Sequence, residues 1–228
     1  MSEFFRHGLN ADQTWMKTIL LCGLLGAGLT ALAGDGGARL YSNDFEKAEA
    51  GKLPEGFLAL NGEFVVKALG TNRVLELPGA PLDSFAVQFG PAESVDVAVC
   101  ARIYGTGQGR RGPTFGVGAG GAGGWRLQVA PGKKAVELFK SDELKASAAF
   151  DWKSGTWTRF RLQLRKVKDG AWRVEGKVWA DGSPEPLEWT VTAEETEPPV
   201  AGRASVAGSP FSGTPIWFDD LIVEQVGK

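Results

Sequence analysis

Arginine and aromatic residues recur at alternate positions in the stretch Thr156–Asp181, and they are the residues with the clearest chemical use. Apolar residues occupy most positions between them, and a period of two places the two sets on opposite faces of a pleated sheet. The polar set consists of Arg159, Arg161, Gln163, Arg165, Lys177 and Trp179. Because guanidinium groups bind carboxylate and sulfate and aromatic rings stack on sugar rings, this face is suited to a glycan.

Two further predicted strands carry polar residues of the same kind. They are Val95–Tyr104, with Arg102 and Tyr104, and Trp125–Val129, with Arg126 and Gln128. If these strands join the sheet of the first stretch, a basic face results. The predicted ligand-binding residues are Arg102, Tyr104, Arg126, Arg161 and Trp179. An anionic glycan is a narrower hypothesis for the ligand, and an ordinary solvated sheet face, with Trp179 covered by a loop, is the alternative.

Several kinds of chemistry are excluded by residue counts. The only histidine, His7, lies in a predicted leader, so the chain from Gly34 onward has none. This excludes Ser-His-Asp and Cys-His catalysis, histidine metal sites and histidine pH switches. Only Cys100 of the two cysteines lies outside the leader, so we predict no intramolecular disulfide and a small unpaired hydrophobic residue. The net charge of −2 provides no basic field for nucleic acid.

The Gly-rich segment Gly105–Gly124 has spacings similar to those of a phosphate-binding loop. A Rossmann fingerprint needs a preceding strand and a following helix, but Trp125–Val129 alternates as a strand. The lysine and serine of a Walker motif are also missing from this segment. We therefore predict a loop and a thin strand around Phe115 and Val117, without a phosphate site.

An apolar run near the N-terminus predicts export. Met16–Ala33 begins with a lysine after the methionine, continues through an apolar segment and ends in small residues, which fits cleavage before Gly34. The run is too short for the roughly 20 residues of a membrane anchor, which is the alternative. Residues 1–33 are thus predicted to be leader and signal peptide and residues 34–228 a single domain, with a periplasmic or extracellular location.

The chain after the leader is predicted to be all-β. Asp169-Gly170 joins the two arms of Thr156–Asp181 into an antiparallel hairpin, because both positions can take a positive φ. About 12 short strands at regular spacing predict an antiparallel two-sheet jelly-roll sandwich. Leu187–Thr192 is predicted to be a strand, Ser141–Phe150 to hold a short helical turn, and Trp172 to be a core residue.

Three segments carry motifs that can be compared with known families. They are Asn43-Asp44-Phe45, W-x-x-G-x-W-T-x-F-R from Trp152 to Arg161, and G-T-P-I-W-F-D-D-L-I-V from Gly213 to Val223. These motifs resemble the concanavalin A-like lectin/glucanase superfamily, in particular its laminin G-like and glycoside-hydrolase-associated jelly rolls, including the 3-keto-disaccharide hydrolase group. The resemblance implies that the first strand pairs with the last, and that the protein is secreted and binds or acts on polysaccharide.

The carboxylate pattern expected of a glycosidase is missing from the sequence. Family-16 glycosidases of the superfamily resemble one another in an E-x-D-x-x-E strand, whose carboxylates share one face, and this sequence has no such run. Lyases of this fold use histidine, which the chain after the leader lacks. Asp219-Asp220 are adjacent, so their side chains point to opposite faces unless a bulge intervenes. Glu175 stands alone and is predicted to form a cross-strand ion pair with Arg159, Arg161 or Arg165.

The sequence thus predicts a secreted, non-catalytic β-sandwich protein that binds a polysaccharide or another glycan. A glycoside hydrolase or lyase of the same superfamily is one alternative, and a structural or adhesion module without a glycan ligand is another. No cofactor is predicted, although Asp44 with Asp219 or Asp220 could hold a structural Ca2+, as in some related sandwiches. The predicted protein is a monomer that binds neither nucleic acid nor, after signal cleavage, a membrane.

Overall fold

A computed structural model describes residues 37–227 of the chain. The predicted leader and its cleavage site lie outside these residues, so export stays a prediction. Within residues 37–227 no helix is long and apolar enough to cross a membrane. The regular structure there is β-strand, apart from one short 3-10 helix at Pro131–Lys133.

Fifteen strands are formed in the described part of the chain, against about 12 expected from the spacing of turns. In chain order they are β1 Arg39–Asn43, β2 Leu58–Asn61, β3 Val65–Leu69, β4 Asn72–Leu77, β5 Phe85–Glu93, β6 Val97–Gly105, β7 Thr114–Ala119, β8 Trp125–Ala130, β9 Ala135–Lys140, β10 Glu143–Ala149, β11 Thr156–Lys168, β12 Ala171–Ala180, β13 Val191–Glu195, β14 Gly202–Ser209 and β15 Ile216–Gln225. The predicted all-β class is confirmed.

The strands form two antiparallel sheets, which we name sheet A and sheet B. Sheet A has eight strands in the order β13-β12-β11-β6-β15-β4-β3, with β1 paired to β15. Sheet B has seven strands in the order β10-β9-β8-β7-β14-β5-β2. The pairing of β1 with β15 is the pairing of first and last strands that the resemblance implied. The two sheets pack on each other as the predicted β-sandwich.

The hairpin of β11 and β12 confirms the predicted sorting of its side chains. Phe160, Leu162 and Val174 have no exposed surface and pack in the core between the sheets, as a period of two requires. The turn differs in detail from the expectation. Of its two residues only Gly170 has a positive φ, 70°, and the strand register shifts beside it. A bulge next to one left-handed glycine therefore replaces a turn with two positive φ angles.

Three local predictions are wrong. Ser141–Phe150 contains strand β10 and no helical turn. The predicted strand Leu187–Thr192 is mostly loop, with Leu187 95% exposed, and β13 follows it. Trp172 is half-buried near the hairpin turn and does not belong to the core. Pairing of β10 with β9 outweighed the local pattern in Ser141–Phe150, and pairing with β12 begins only at Val191.

Candidate functional site

A groove runs across the outer face of sheet B. It encloses about 490 Å³ and is lined by residues of six adjacent strands, β2, β5, β14, β7, β8 and β9. Adjacent strands lie about 4.8 Å apart, so the groove is about 24 Å long. Its volume is in the range that is typical of ligand-binding clefts.

Small residues form the floor of the groove. Gly116 on β7 pairs with Gln128 on β8 and with Ala207 on β14, and all three line the groove. A Cβ atom at Gly116 would lie 1.9 Å from the carbonyl oxygen of Leu127. Only glycine fits this close approach of two strands. Because glycine has no side chain, nothing projects from the middle of sheet B into the groove at this position.

One side of the groove carries a hydrogen-bonded chain of polar groups. Arg126 Nε donates to Gln128 Oε1 at 3.1 Å, and Gln128 Nε2 donates to Glu137 Oε2 at 3.1 Å. Lys133 Nζ donates to Glu137 Oε1 at 2.7 Å. Glu137 is only 2% exposed, and these two donors satisfy its buried carboxylate. The chain thereby holds guanidinium, amide and carboxylate groups in fixed orientations at the groove.

The opposite end of the groove has hydroxyl groups and one exposed aromatic ring. Ser84 Oγ and Ser209 Oγ lie 2.7 Å apart, and Asn61 of the edge strand β2 lines the same groove. Phe211 is a further lining residue and is 45% exposed. Its ring offers an apolar surface to a ligand, while the hydroxyl and amide groups can donate and accept hydrogen bonds.

Of the five predicted ligand-binding residues, only Arg126 lies at this groove. The other four, Arg102, Tyr104, Arg161 and Trp179, lie on strands β6, β11 and β12 of sheet A. Their side chains are on its outer face, because the intervening Ile103 and Phe160 are fully buried in the core. The expectation that Arg126 joins them in one sheet is wrong, since β8 pairs with β7 and β9 of sheet B. The two groups therefore lie on opposite sides of the sandwich.

Carboxylates neutralise the arginines on the outer face of sheet A. Arg102 pairs with Asp219 at 2.6 Å and with Asp220 at 3.2 Å. Arg161 pairs with Glu224 at 2.5 Å. The other pairs are Arg159–Asp181, Arg173–Glu194 and Arg165–Glu175, the last of which confirms the prediction for Glu175. This face is charge-balanced, which corrects the expectation of a basic face.

Three aromatic rings stand side by side on the same face of sheet A. Tyr104 stacks on Trp217 with ring centroids 4.8 Å apart and contacts Trp157 at 5.5 Å. The guanidinium carbon of Arg102 lies 4.8 Å from the centre of the Trp157 ring. Tyr104 and Trp217 thus cover one face of each other and Trp157 lies against Arg102, while all three side chains remain partly exposed.

A bulge in β15 brings the two adjacent aspartates together. The register of β15 against β6 shifts after Asp219, and Asp220 takes a positive φ of 50°. Both carboxylates therefore contact Arg102, which neighbouring residues of a regular strand could not do. Asp44 and Asp220 line one polar cavity where β1 meets β15, but no cluster of three or more acidic, cysteine or histidine side chains occurs in residues 37–227. The structural Ca2+ stays a hypothesis.

Burial raises the pKa of two groups on sheet A. The side chain of Asp219 is 1% exposed, and loss of hydration raises the pKa of its carboxyl despite hydrogen bonds from Asn72 and Arg102. Loss of hydration also raises the pKa of the Cys100 thiol to about 12, against a smaller opposite effect of Arg161. A thiol with this pKa does not form a nucleophilic thiolate near neutral pH, and Cys100 is unpaired as predicted.

Most of the groove could not be found from the sequence. Glu137 is the only acidic residue in the otherwise largely apolar strand β9, which is a weak signal for a special carboxylate. The alternating glycines of β7 are a second signal, since glycine in a strand often marks the close approach of a ligand or another backbone. Ser84, Ser209 and Phe211 come from distant parts of the chain, and nothing in their spacing links them.

Comparison with known proteins identifies the fold. No family model and no curated protein matches the sequence. The carbohydrate-binding module CBM66 from Bacillus subtilis has a TM-score of 0.53 at 9% identity, over 74% of this chain and 95% of the module. The metal-free carbohydrate recognition domain of Emp46p has a TM-score of 0.56 at 12% identity, over 83% and 97% of the two chains. The Ca2+/Man2-bound exoplasmic/lumenal domain of VIP36 has 0.50 at 11%, over 82% and 88%. At these identities the likeness shows the fold alone.

Proposed function

We propose that this protein binds carbohydrate in the groove of sheet B. The observation that carries the proposal is the groove itself, about 24 Å long, with an exposed ring at one end and fixed polar groups at the other. The Phe211 ring can stack on the C–H face of a sugar, while Arg126 and Gln128, which Glu137 helps to hold in place, can orient its hydroxyl groups. The floor of Gly116 and Ala207 lets a sugar ring lie close to the strands.

The solved structures of the same fold support this proposal. A carbohydrate-binding module and a carbohydrate recognition domain are among them. Since a fold does not determine a ligand, the likeness adds only that sandwiches of this shape are used for sugar binding. The residues that would recognise the sugar are argued from the groove.

Binding without catalysis is the form of this function that the groove favours. Glycoside hydrolysis needs two carboxylates about 5–9 Å apart, one of which is free to give or take a proton. Glu137 is held by Gln128 and Lys133, and the other carboxylate that lines the groove, Asp142, lies on an exposed turn. We expect no release of reducing ends when glycans that the protein binds are incubated with it.

The proposal is tested by screening glycans by affinity electrophoresis and comparing variants of the two outer faces. Phe211→Ala and Gln128→Ala should each weaken binding about five- to tenfold, because a stacked ring or a hydrogen bond is worth about 1 kcal/mol. The matched control is Trp179→Ala, which removes an aromatic ring from the outer face of sheet A and should leave the affinity unchanged. The proposal is wrong if Trp179→Ala weakens glycan binding and the two groove variants do not. It is also wrong if no glycan in the gel retards the wild-type protein.

We further propose that the protein binds its ligand outside the cytoplasm. The support for this location is the predicted signal peptide in residues 16–33, with cleavage before Gly34. Sequencing the N-terminus of the protein from periplasmic and culture fractions tests it. A chain that starts at Met1 and stays in the cytosolic fraction would contradict the proposed location.

A further inference from the structure

Arg126 differs from the arginines of β6, β11 and β12 because no carboxylate partner for it occurs in residues 37–227. On sheet A the strand arginines 102, 159, 161, 165 and 173 each pair with an Asp or Glu side chain. Among residues 37–227, no carboxylate oxygen lies within 4.0 Å of the Arg126 guanidinium. Glu137, the nearest acidic residue along the hydrogen-bonded chain, is instead paired with Lys133 at 2.7 Å.

The guanidinium of Arg126 is nevertheless held in place. Its Nε donates to Gln128 Oε1 at 3.1 Å, and its central carbon lies 5.0 Å from the centre of the Phe139 ring. One edge and one face of the planar group are therefore occupied. The two terminal nitrogen atoms form the fork that binds carboxylate or sulfate in a bidentate manner.

The position opposite Arg126 on the neighbouring strand is already filled by a hydroxyl group. Gly118 on β7 is directly opposite Arg126, and Ser205 on β14 is opposite Gly118. Two strand spacings, about 9.6 Å, separate the backbones that carry Arg126 and Ser205. The Ser205 hydroxyl leans over Gly118, since a Cβ atom there would lie 2.4 Å from Ser205 Oγ. The space next to Arg126 that is open to a ligand is therefore the groove, which Arg126 lines, and not the position above Gly118.

From this arrangement we infer that the glycan bound in the groove carries an anionic group, carboxylate or sulfate, that binds to the terminal nitrogen atoms of Arg126. The inference rests on the proposed function of the groove and adds the chemical class of its ligand. The anion supplies the charge partner that Arg126 lacks among residues 37–227.

The test uses pairs of glycans that differ only in the charged group, with the full-length protein. The probes are polygalacturonate against its methyl ester for carboxylate, and a sulfated galactan against its desulfated form for sulfate. Wild type should bind one charged member about tenfold more tightly than its neutral partner, since hydrogen bonds to charged groups are the stronger ones. Whichever pair shows the preference identifies the anionic group.

Variants test whether Arg126 is the residue that causes the preference for the charged glycan. Arg126→Met should reduce the preference for the charged member to less than about twofold. Arg173→Met, which removes a partly exposed cation from the outer face of sheet A, should keep the preference. Asp142→Asn, which removes an exposed carboxylate that lines the groove, should strengthen binding of the charged member slightly.

Each result has a defined meaning. Equal affinity of wild type for charged and neutral members, or a preference that survives in Arg126→Met, overturns the inference but leaves carbohydrate binding intact. No binding of any glycan contradicts the proposed function itself. Because Arg126→Met could lose stability, a second measurement uses wild type alone: the preference should decline as NaCl rises from about 0.05 to 0.5 M.

Discussion

The outer faces of the two sheets are both rich in polar residues, yet they use charge in different ways. On sheet A the arginines meet carboxylates on neighbouring strands, and the rings of Tyr104 and Trp217 stack on each other. On sheet B the middle of the face is glycine and alanine, the polar groups lie to one side, and Arg126 has no acidic partner among residues 37–227. The arginines of β6, β11 and β12 thus form ion pairs within the protein, whereas the guanidinium of Arg126 lines the groove without one.

This difference shows what a polar strand face does and does not indicate. Alternating polar residues on β6 and β11 resemble a binding surface until the cross-strand partners are known. Arg102 and Arg161 are satisfied by Asp219 and Glu224 of β15, which lie 117 and 63 residues away along the chain from their partners. A groove requires the opposite arrangement, in which small neighbours leave the polar groups accessible.

The largest expected effect comes from filling the floor of the groove on sheet B. Ala207→Leu adds a bulky side chain beside Gly116 without removing any polar group. We expect loss of glycan binding by more than about thirtyfold, while the free energy of unfolding changes by less than about 0.5 kcal/mol because the position is on the surface. Affinity electrophoresis and urea denaturation measure the two quantities. Undiminished binding would place the ligand elsewhere.

The second prediction compares how much stability is lost when an arginine is removed from each face. Arg102→Ala leaves the carboxylate of Asp219 buried without its cation and should lower the free energy of unfolding by about 2 kcal/mol. The matched variant Arg126→Ala on sheet B should lower it by less than about 0.5 kcal/mol, because no carboxylate depends on it. Urea denaturation of both variants provides the comparison. Similar losses in the two proteins would remove the distinction between a stabilising face and a binding face.

A smaller effect is expected in the dependence of stability on pH. The native pKa of Asp219 is raised above its ordinary value of 3.8, so the folded protein takes up this proton before the unfolded chain does. The contribution of Asp219 is therefore full below about pH 4 and is lost as pH rises through the raised native pKa. Relative to Asp219→Asn, wild type should gain stability as pH falls through this window. A difference that stays constant with pH would contradict the raised pKa.

The smallest effect concerns thiol reactivity, which compares the solvent accessibility of the two faces. Cys100 on sheet A, with its pKa raised to about 12, should not react with a thiol reagent at about pH 8 until the protein unfolds. The experiment uses Cys22→Ser protein, so that Cys100 is the only thiol. A second protein with Ser205→Cys places a thiol beside the groove of sheet B, where it should react readily. Rapid modification of native Cys100 would show that the face of sheet A is open.

The fold could be predicted from the sequence much further than the site. The two arms around Asp169-Gly170 carry a long period-two pattern, and the structure has the expected hairpin there. Shorter patterns were less reliable: Leu187 is solvent-exposed where a strand was predicted, and Ser141–Phe150 pairs as β10 where a helical turn was expected. A few residues carry too little information to outweigh pairing with the rest of a sheet.

For the site, one of five predicted residues lies at the groove. The alternation around Arg126 correctly predicted that its side chain points away from the core. It did not predict which sheet contains its strand, β8. Nothing in the sequence around Phe211 indicated that it lines a groove. Its position there depends on the folding of its loop next to Ser84, a residue more than 120 positions earlier in the chain.

Alternation along the longer strands was sufficient, by itself, to predict that this chain is a β-sandwich and that side chains such as Phe160, Leu162 and Val174 point inward. This follows because the pleat is a local property of the backbone. The tertiary structure alone decided which strands are neighbours, and hence that, within residues 37–227, Arg102 has a carboxylate partner and Arg126 does not. Neighbouring strands are distant in sequence, so their pairing depends on the packing of the whole core and on no single segment.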